Sequence, residues 1–140
     1  MESNAVIITV ETLVNASLEK VWKIWTSPSD IIKWNTASED WHTPTAENDL
    51  WEGGSFLYRM EAKDGSFGFD FSGVYNKIQE LERIEYAMED GRKVQIAFFP
   101  MGNQTKVVET FEAENENSPE LQKTGWQAIL NNFKAYTEAS

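Results

Sequence analysis

The chain has 140 residues, 41% of them hydrophobic and 13% aromatic, which is enough for one compact domain with a real core. Twenty-three acids against twelve Lys and Arg give a formal net charge of −11 with no local basic cluster, so nucleic acid and anionic membrane surfaces are poor partners. The absence of cysteine removes disulfides, thiolate nucleophiles and Cys-based zinc sites.

The first residues, "MESNAVIITVETLV", have neither a basic stretch nor a continuous apolar core, and no apolar run approaches transmembrane length. The expectation is a cytoplasmic protein without membrane insertion. Residues 5–15 are rich in β-branched side chains and read as a strand. In "NASLEKVWKIWT" the period changes: Leu18, Val21, Trp22 and Trp25 fall on one face of a helix, with Asn15 or Ser17 as cap. Pro28 opens a second short helix, "PSDIIKW", because proline is tolerated in a first turn. The acidic, Trp-rich segment "NTASEDWHTPTAENDLWE" follows, and Pro44 argues for a loop or a short edge strand.

From Gly53 to about Phe111 the period is two. Asp64-Gly65, read as a two-residue turn, sets Met60 opposite Phe69, Tyr58 opposite Phe71 and Phe56 opposite Gly73. The large apolar groups then share one face, and Arg59 meets Asp70 on the other. In "RIEYAMEDGRKVQIAFF" a two-residue turn would scramble the faces. A three-residue turn, Glu89-Asp90-Gly91 with Gly91 left-handed, sets Tyr86 opposite Val94 and Ile84 opposite Ile96. Pro100-Met101-Gly102-Asn103 reads as a further turn, and "TKVVETFEAE" as the last strand. Ser118 caps a long final helix with Pro119 at its first position and a stripe of Trp126, Ile129, Leu130 and Phe133. Gly125 costs about 1 kcal/mol in a helix interior, which a close approach to another element would explain.

Strand, two short helices, a run of antiparallel strands and one long helix make an α+β domain spanning 1–140, the helix covering the aromatic face of the sheet. With "VNASLEKVWKIWTSPSDIIKW", "DLWEGGSFLYRMEAKDG", "FDFSGVYNKI", "ERIEYAMEDGRKVQIAF", "TKVVETFEAE" and "GWQAILNNFKAY" in this order, the chain resembles the START-like (Bet v 1-like, helix-grip) superfamily. The branch it resembles is named for homologues of the activator of heat-shock protein 90 ATPase. The resemblance implies a curved sheet wrapped around the C-terminal helix, with an apolar cavity between them. It also implies a lipid-, sterol- or polyketide-like ligand; a few members of the superfamily are enzymes.

The chemistry-bearing residues offer several readings. His42 with Asp40, Glu47 and Asp49 has irregular spacing and a single nitrogen ligand, so solvated carboxylates account for the cluster and neither metal nor cofactor is expected. His42 oriented by Asp40 is the one acid–base candidate, of cyclase or hydrolase type, without a nucleophile motif beside it. The bland alternative is a loop histidine packed by Trp41 or Trp51. Arg59 and Asp70 read as a cross-strand ion pair. Phe56, Tyr58, Met60, Phe69, Phe71, Tyr86 and Met88 from the sheet and Trp126, Ile129, Leu130 and Phe133 from the helix are expected to wall a ligand cavity, the alternative being that the same side chains fill a solid core. Trp25 is expected among the cavity residues, and Trp41 and His42 at the entrance, on a lid loop. The expected partner is a small apolar or amphipathic molecule, and a co-chaperone-type surface for an unidentified protein is the remaining alternative.

Overall fold

A computed structural model describes residues 6–140. β1 (Ile7–Val14) is followed by α1 (Leu18–Thr26) and α2 (Pro28–Trp34). Six strands come next: β2 (Trp41–Asn48), β3 (Ser55–Ala62), β4 (Gly68–Gln79), β5 (Arg83–Met88), β6 (Lys93–Met101) and β7 (Gln104–Glu112). α3 (Pro119–Ala139) closes the chain. The strands form one antiparallel sheet in the order β1-β7-β6-β5-β4-β3-β2. The sheet curls around α3, which is the helix-grip arrangement. The strand read over residues 5–15 begins in the structure at Ile7; residue 5 lies outside the described residues.

Local chemistry sets the helix ends. The Ser17 side chain accepts from the Lys20 amide and Ser118 from the Leu121 amide, each satisfying one of the amides left unpaired in a first turn. Pro28 and Pro119 stand in first turns, where no amide hydrogen is missed. α3 is then fastened along its length. The Asn132 Nδ2 donates to the Trp34 carbonyl at 2.9 Å, the Tyr136 hydroxyl to Asp30 at 2.7 Å, and the Lys134 ammonium to the Leu13 carbonyl at 2.8 Å.

The β3–β4 register is the one read from the sequence, with Met60 opposite Phe69, Tyr58 opposite Phe71 and Arg59 opposite Asp70. Its connection is wider than a two-residue turn. The Ala62 amide donates to the Phe67 carbonyl, leaving residues 63–66 as the loop, with the Asp64 carboxylate bonded to the Ser66 amide. Adding two residues symmetrically about Asp64-Gly65 keeps the pairing. The β5–β6 hairpin turns at Glu89-Asp90-Gly91 with Gly91 at φ +91, pairing Tyr86 with Val94 and Ile84 with Ile96. Pro100 and Met101, read as turn residues, continue β6 opposite Thr105 and Gln104. Proline is tolerated near this strand end, and Gly102-Asn103 alone makes the turn.

Two further expectations are corrected. The Trp41-His42 segment is the edge strand β2, paired with β3, and its register shifts between His42 and Thr45, around Pro44. It is no lid loop. Gly125 approaches nothing: a methyl group added there would meet no atom within 4 Å. The tight glycine is Gly73 on β4, where an added methyl would lie 2.7 Å from the Phe56 ring and 2.8 Å from the Ala87 carbonyl. The Phe56 side chain occupies the space that Gly73 leaves on the inner face.

Candidate ligand cavity

Along α3 the interior divides into a filled half and a hollow half. Leu130 and Phe133 are fully buried, and Phe133 packs edge-on against Trp25 and Trp34 at ring-centre distances of 4.8 and 4.9 Å. Trp25 lies 4.9 Å from Trp34, so these three rings plug one end of the space between helix and sheet. Toward the start of α3 the packing opens into a cavity of about 330 Å³, large enough for about ten water-sized groups.

The cavity wall is mostly apolar. Phe56, Tyr58, Met60, Phe69 and Phe71 line it from β3 and β4, and Tyr86 and Met88 from β5. Trp25, Trp126 and Ile129 complete it from the helices. Trp126 is held by Phe111, on which it stacks with ring centres 3.8 Å apart and an angle of 11°. Of the helix residues expected there, Leu130 and Phe133 belong instead to the filled core, one turn further along the stripe.

Trp41 and His42 lie outside the wall. Trp41 packs against Phe67 and Phe69 with ring centres 6.0 Å from each, at the far end of the β3–β4 hairpin. The His42 ring is half-exposed and stands 3.7 Å from the Glu61 carboxylate. Asp40 does not orient it; the Asp40 carbonyl instead accepts from the Lys63 amide. Trp51, the other ring expected to pack it, is 60% exposed. Among the described residues no group of three His, Asp or Glu side chains is placed to hold a metal ion. Arg59 contacts Asp70 at 3.4 Å and Glu61 at 2.9 Å and does not line the cavity.

Beside the expected hydroxyls of Tyr58 and Tyr86, the cavity has polar groups that were not expected there. Tyr75, inward on β4, donates to the Asn48 side chain, which in turn donates to the Thr26 carbonyl at 2.8 Å. Glu114, Asn117 and Gln122 close a small network at the rim: Gln122 donates to the Glu114 and Asn117 carbonyls, and Glu114 accepts from Asn117 at 2.6 Å. Arg92 is turned to Asp90 at 2.7 Å and to the Glu112 carbonyl. At the plugged end the Asn35 amide nitrogen is buried with no hydrogen-bond partner among the described residues.

Glu109 differs from all of these. It lies on the inner row of β7 with Thr105, Val107 and Phe111, and only 7% of its surface is exposed. Directly beside it across the strands stand Ile96 and Val10. Burial alone pushes its carboxyl up to about 8, because no positive charge or hydrogen-bond donor offsets the loss of water. Burial also holds the Tyr58 and Tyr86 hydroxyls well above their usual range, and the Glu109 charge adds to both shifts. The signal was its spacing: Val107, Glu109 and Phe111 share one parity on the strand.

The fold and cavity invite comparison with known proteins. A family model described as activator of Hsp90 ATPase homolog 1-like protein matches residues 15–138. The chain belongs to this family. Its solved relatives include the family protein from Aeromonas hydrophila, 44% identical, with 96% of this chain and 93% of that one aligned at a TM-score of 0.90. A Cytophaga hutchinsonii protein is 55% identical over 94% of this chain and 92% of its own, with a TM-score of 0.83. A Nitrosomonas europaea protein, 17% identical over 96% and 95% of the two chains at a TM-score of 0.79, shares the fold. No curated protein matches the chain. In this member of the activator of Hsp90 ATPase homolog 1-like family, the matched span includes every strand from β2 to β7, both short helices and all but the last residue of α3.

Proposed function

We propose that the protein binds one small apolar or amphipathic molecule in the space between the sheet and the first half of α3. The observation that carries this reading is the cavity of about 330 Å³, roofed by Trp126 and Ile129 and floored by Phe56, Phe71 and Tyr86. Its size is at the lower end of the usual range of small-molecule sites, and its apolar wall with a few placed polar groups has their usual composition. A cavity left empty would forfeit packing energy that the filled half of the same helix gains, so its presence favours occupation. Lipid-, sterol- or polyketide-like compounds of modest size are the class it suits. Catalysis through His42 has no geometric support, because the ring stands outside this space.

An environment-sensitive apolar dye tests the proposal. Saturable, one-to-one binding to the folded protein is expected, with loss of that binding in Ile129→Trp, whose larger ring fills the space. Dye binding without saturation, or binding unaltered in a folded Ile129→Trp protein, overturns it.

A further inference from the structure

The Glu109 carboxyl has no partner among the described residues, yet it is more than nine-tenths buried and borders the cavity. Buried acids are ordinarily paired or hydrogen-bonded, and an orphan of this kind marks a place where something outside the chain completes the structure. We propose that Glu109 anchors the head group of the bound molecule, and that this molecule is a cationic amphiphile, a protonated amine carried on an apolar body. The proposal rests on the ligand-cavity reading and names the ligand class for that same site.

Three observations favour a cation. The elements packed around Glu109 supply no competing positive charge. Its ionisable neighbours in the cavity are Tyr58, Tyr75 and Tyr86, while Arg92 and Glu114 at the rim are engaged elsewhere. β1, β6 and α3 face it with Val10, Ile96 and the uncharged Trp126, and Arg92, which also lines the cavity, has its charge met by Asp90 at 2.7 Å.

The second observation is the mouth. β4 runs on to Gly68 past its last pairing with β5, Gly73 to Met88, and an adjoining depression opens there. That depression shares Phe69, Phe71, Met88 and Arg92 with the cavity and brings Asp70, Glu89 and Asp90 to its edge. The third is the net charge of −11, which draws small cations and repels fatty carboxylates.

The proton balance is explicit. In the empty protein Glu109 keeps its proton to about pH 8, so at pH 7 about nine molecules in ten are protonated. Binding an ammonium head group forms a charge-assisted hydrogen bond to the carboxylate and releases that proton to solvent. Affinity for the amine therefore rises about tenfold per pH unit below pH 8 and levels off above it. A neutral alcohol gains nothing from ionisation, and its affinity stays flat or falls over the same range. A carboxylate ligand would place two acids in one apolar chamber.

Decylamine, decanol and decanoate, each titrated calorimetrically and by displacement of the apolar dye, separate the outcomes. Decylamine is expected to bind most tightly, at least about tenfold over decanoate at pH 8. It should also release close to one proton at pH 7, read from buffers of different ionisation enthalpy. In Glu109→Gln the proton release and the preference for amine should vanish while decanol binding stays within about threefold. Decanol matching decylamine, or a folded Glu109→Gln protein that still prefers the amine, overturns the anchor and leaves the cavity reading standing. Failure of all three probes and of the dye overturns both. Should Glu109→Gln not fold, the wild-type proton release decides: its absence on decylamine binding sinks the proposal.

Discussion

Replacing Glu109 by Gln keeps the shape of the side chain and removes a buried titration, so the protein's own stability reports on the cavity. A glutamate in the unfolded chain ionises near 4.5, whereas the folded one holds its proton to about 8. Between those values the native state binds more protons than the unfolded state, so stability falls as pH rises, and the loss is complete above pH 8. The gap of about 3.5 pH units at about 1.4 kcal/mol each gives a ceiling on the order of 4–5 kcal/mol. Water drawn into the cavity lowers that figure by solvating the carboxylate. Even half of it is a large fraction of the stability of a domain this size. Urea midpoints at pH 5, 6.5 and 8 should show the wild type losing stability relative to Glu109→Gln, with little difference at the acidic end and a plateau above pH 8. Parallel curves for the two proteins would refute the reasoning, since they would mean that Glu109 ionises as easily folded as unfolded.

The other expectations are simpler. Gly125→Ala should stabilise by up to about 1 kcal/mol, because the methyl group meets open space and helix propensity alone decides; thermal melts read it. Gly73→Ala should destabilise by about 1–3 kcal/mol by driving a methyl into the Phe56 ring and the Ala87 carbonyl, measured by denaturant midpoint. Leu130→Ala, in the filled half of α3, should cost about 2–5 kcal/mol in the same assay. His42→Gln should change dye affinity by less than about tenfold, roughly 1.4 kcal/mol, and chelator should leave the wild-type melting temperature unchanged.

The sheet was legible because period-two patterning and left-handed glycine chemistry constrain it twice over. Gly91 and the aromatic parity together left one register for β5 and β6, and the structure has it. The family resemblance supplied the curl around α3, which no local pattern encodes. The site was less legible. His42 drew attention as the lone histidine, but composition says nothing about where an ionisable group ends up in space. In β7, Val107 and Phe111 share one parity against Gln104, Lys106, Thr110 and Glu112 on the other, but that pattern leaves open whether an acid at position 109 follows its apolar neighbours inward. Pairing with β1 and coverage by α3 decide it, and they turn Glu109 inward. Tyr75 continues the parity of Phe69, Phe71 and Gly73 ahead of the bulge between Tyr75 and Lys77, so its inward placement was readable, while its bond to Asn48, distant along the chain, was not. Gly125 invited a packing explanation that its surroundings do not support. The derived register already set Phe56 opposite Gly73, where the close approach occurs.

Mapping decylamine onto the protein by two-dimensional amide NMR tests the central claim most directly. Saturable shifts should cluster at residues around the cavity, among them Tyr58, Met88, Glu109 and Trp126, while Trp41 and His42 on the β2 edge stay still. Shifts confined to the aromatic contact of Trp41 and Phe67, with the cavity residues unmoved, would contradict it.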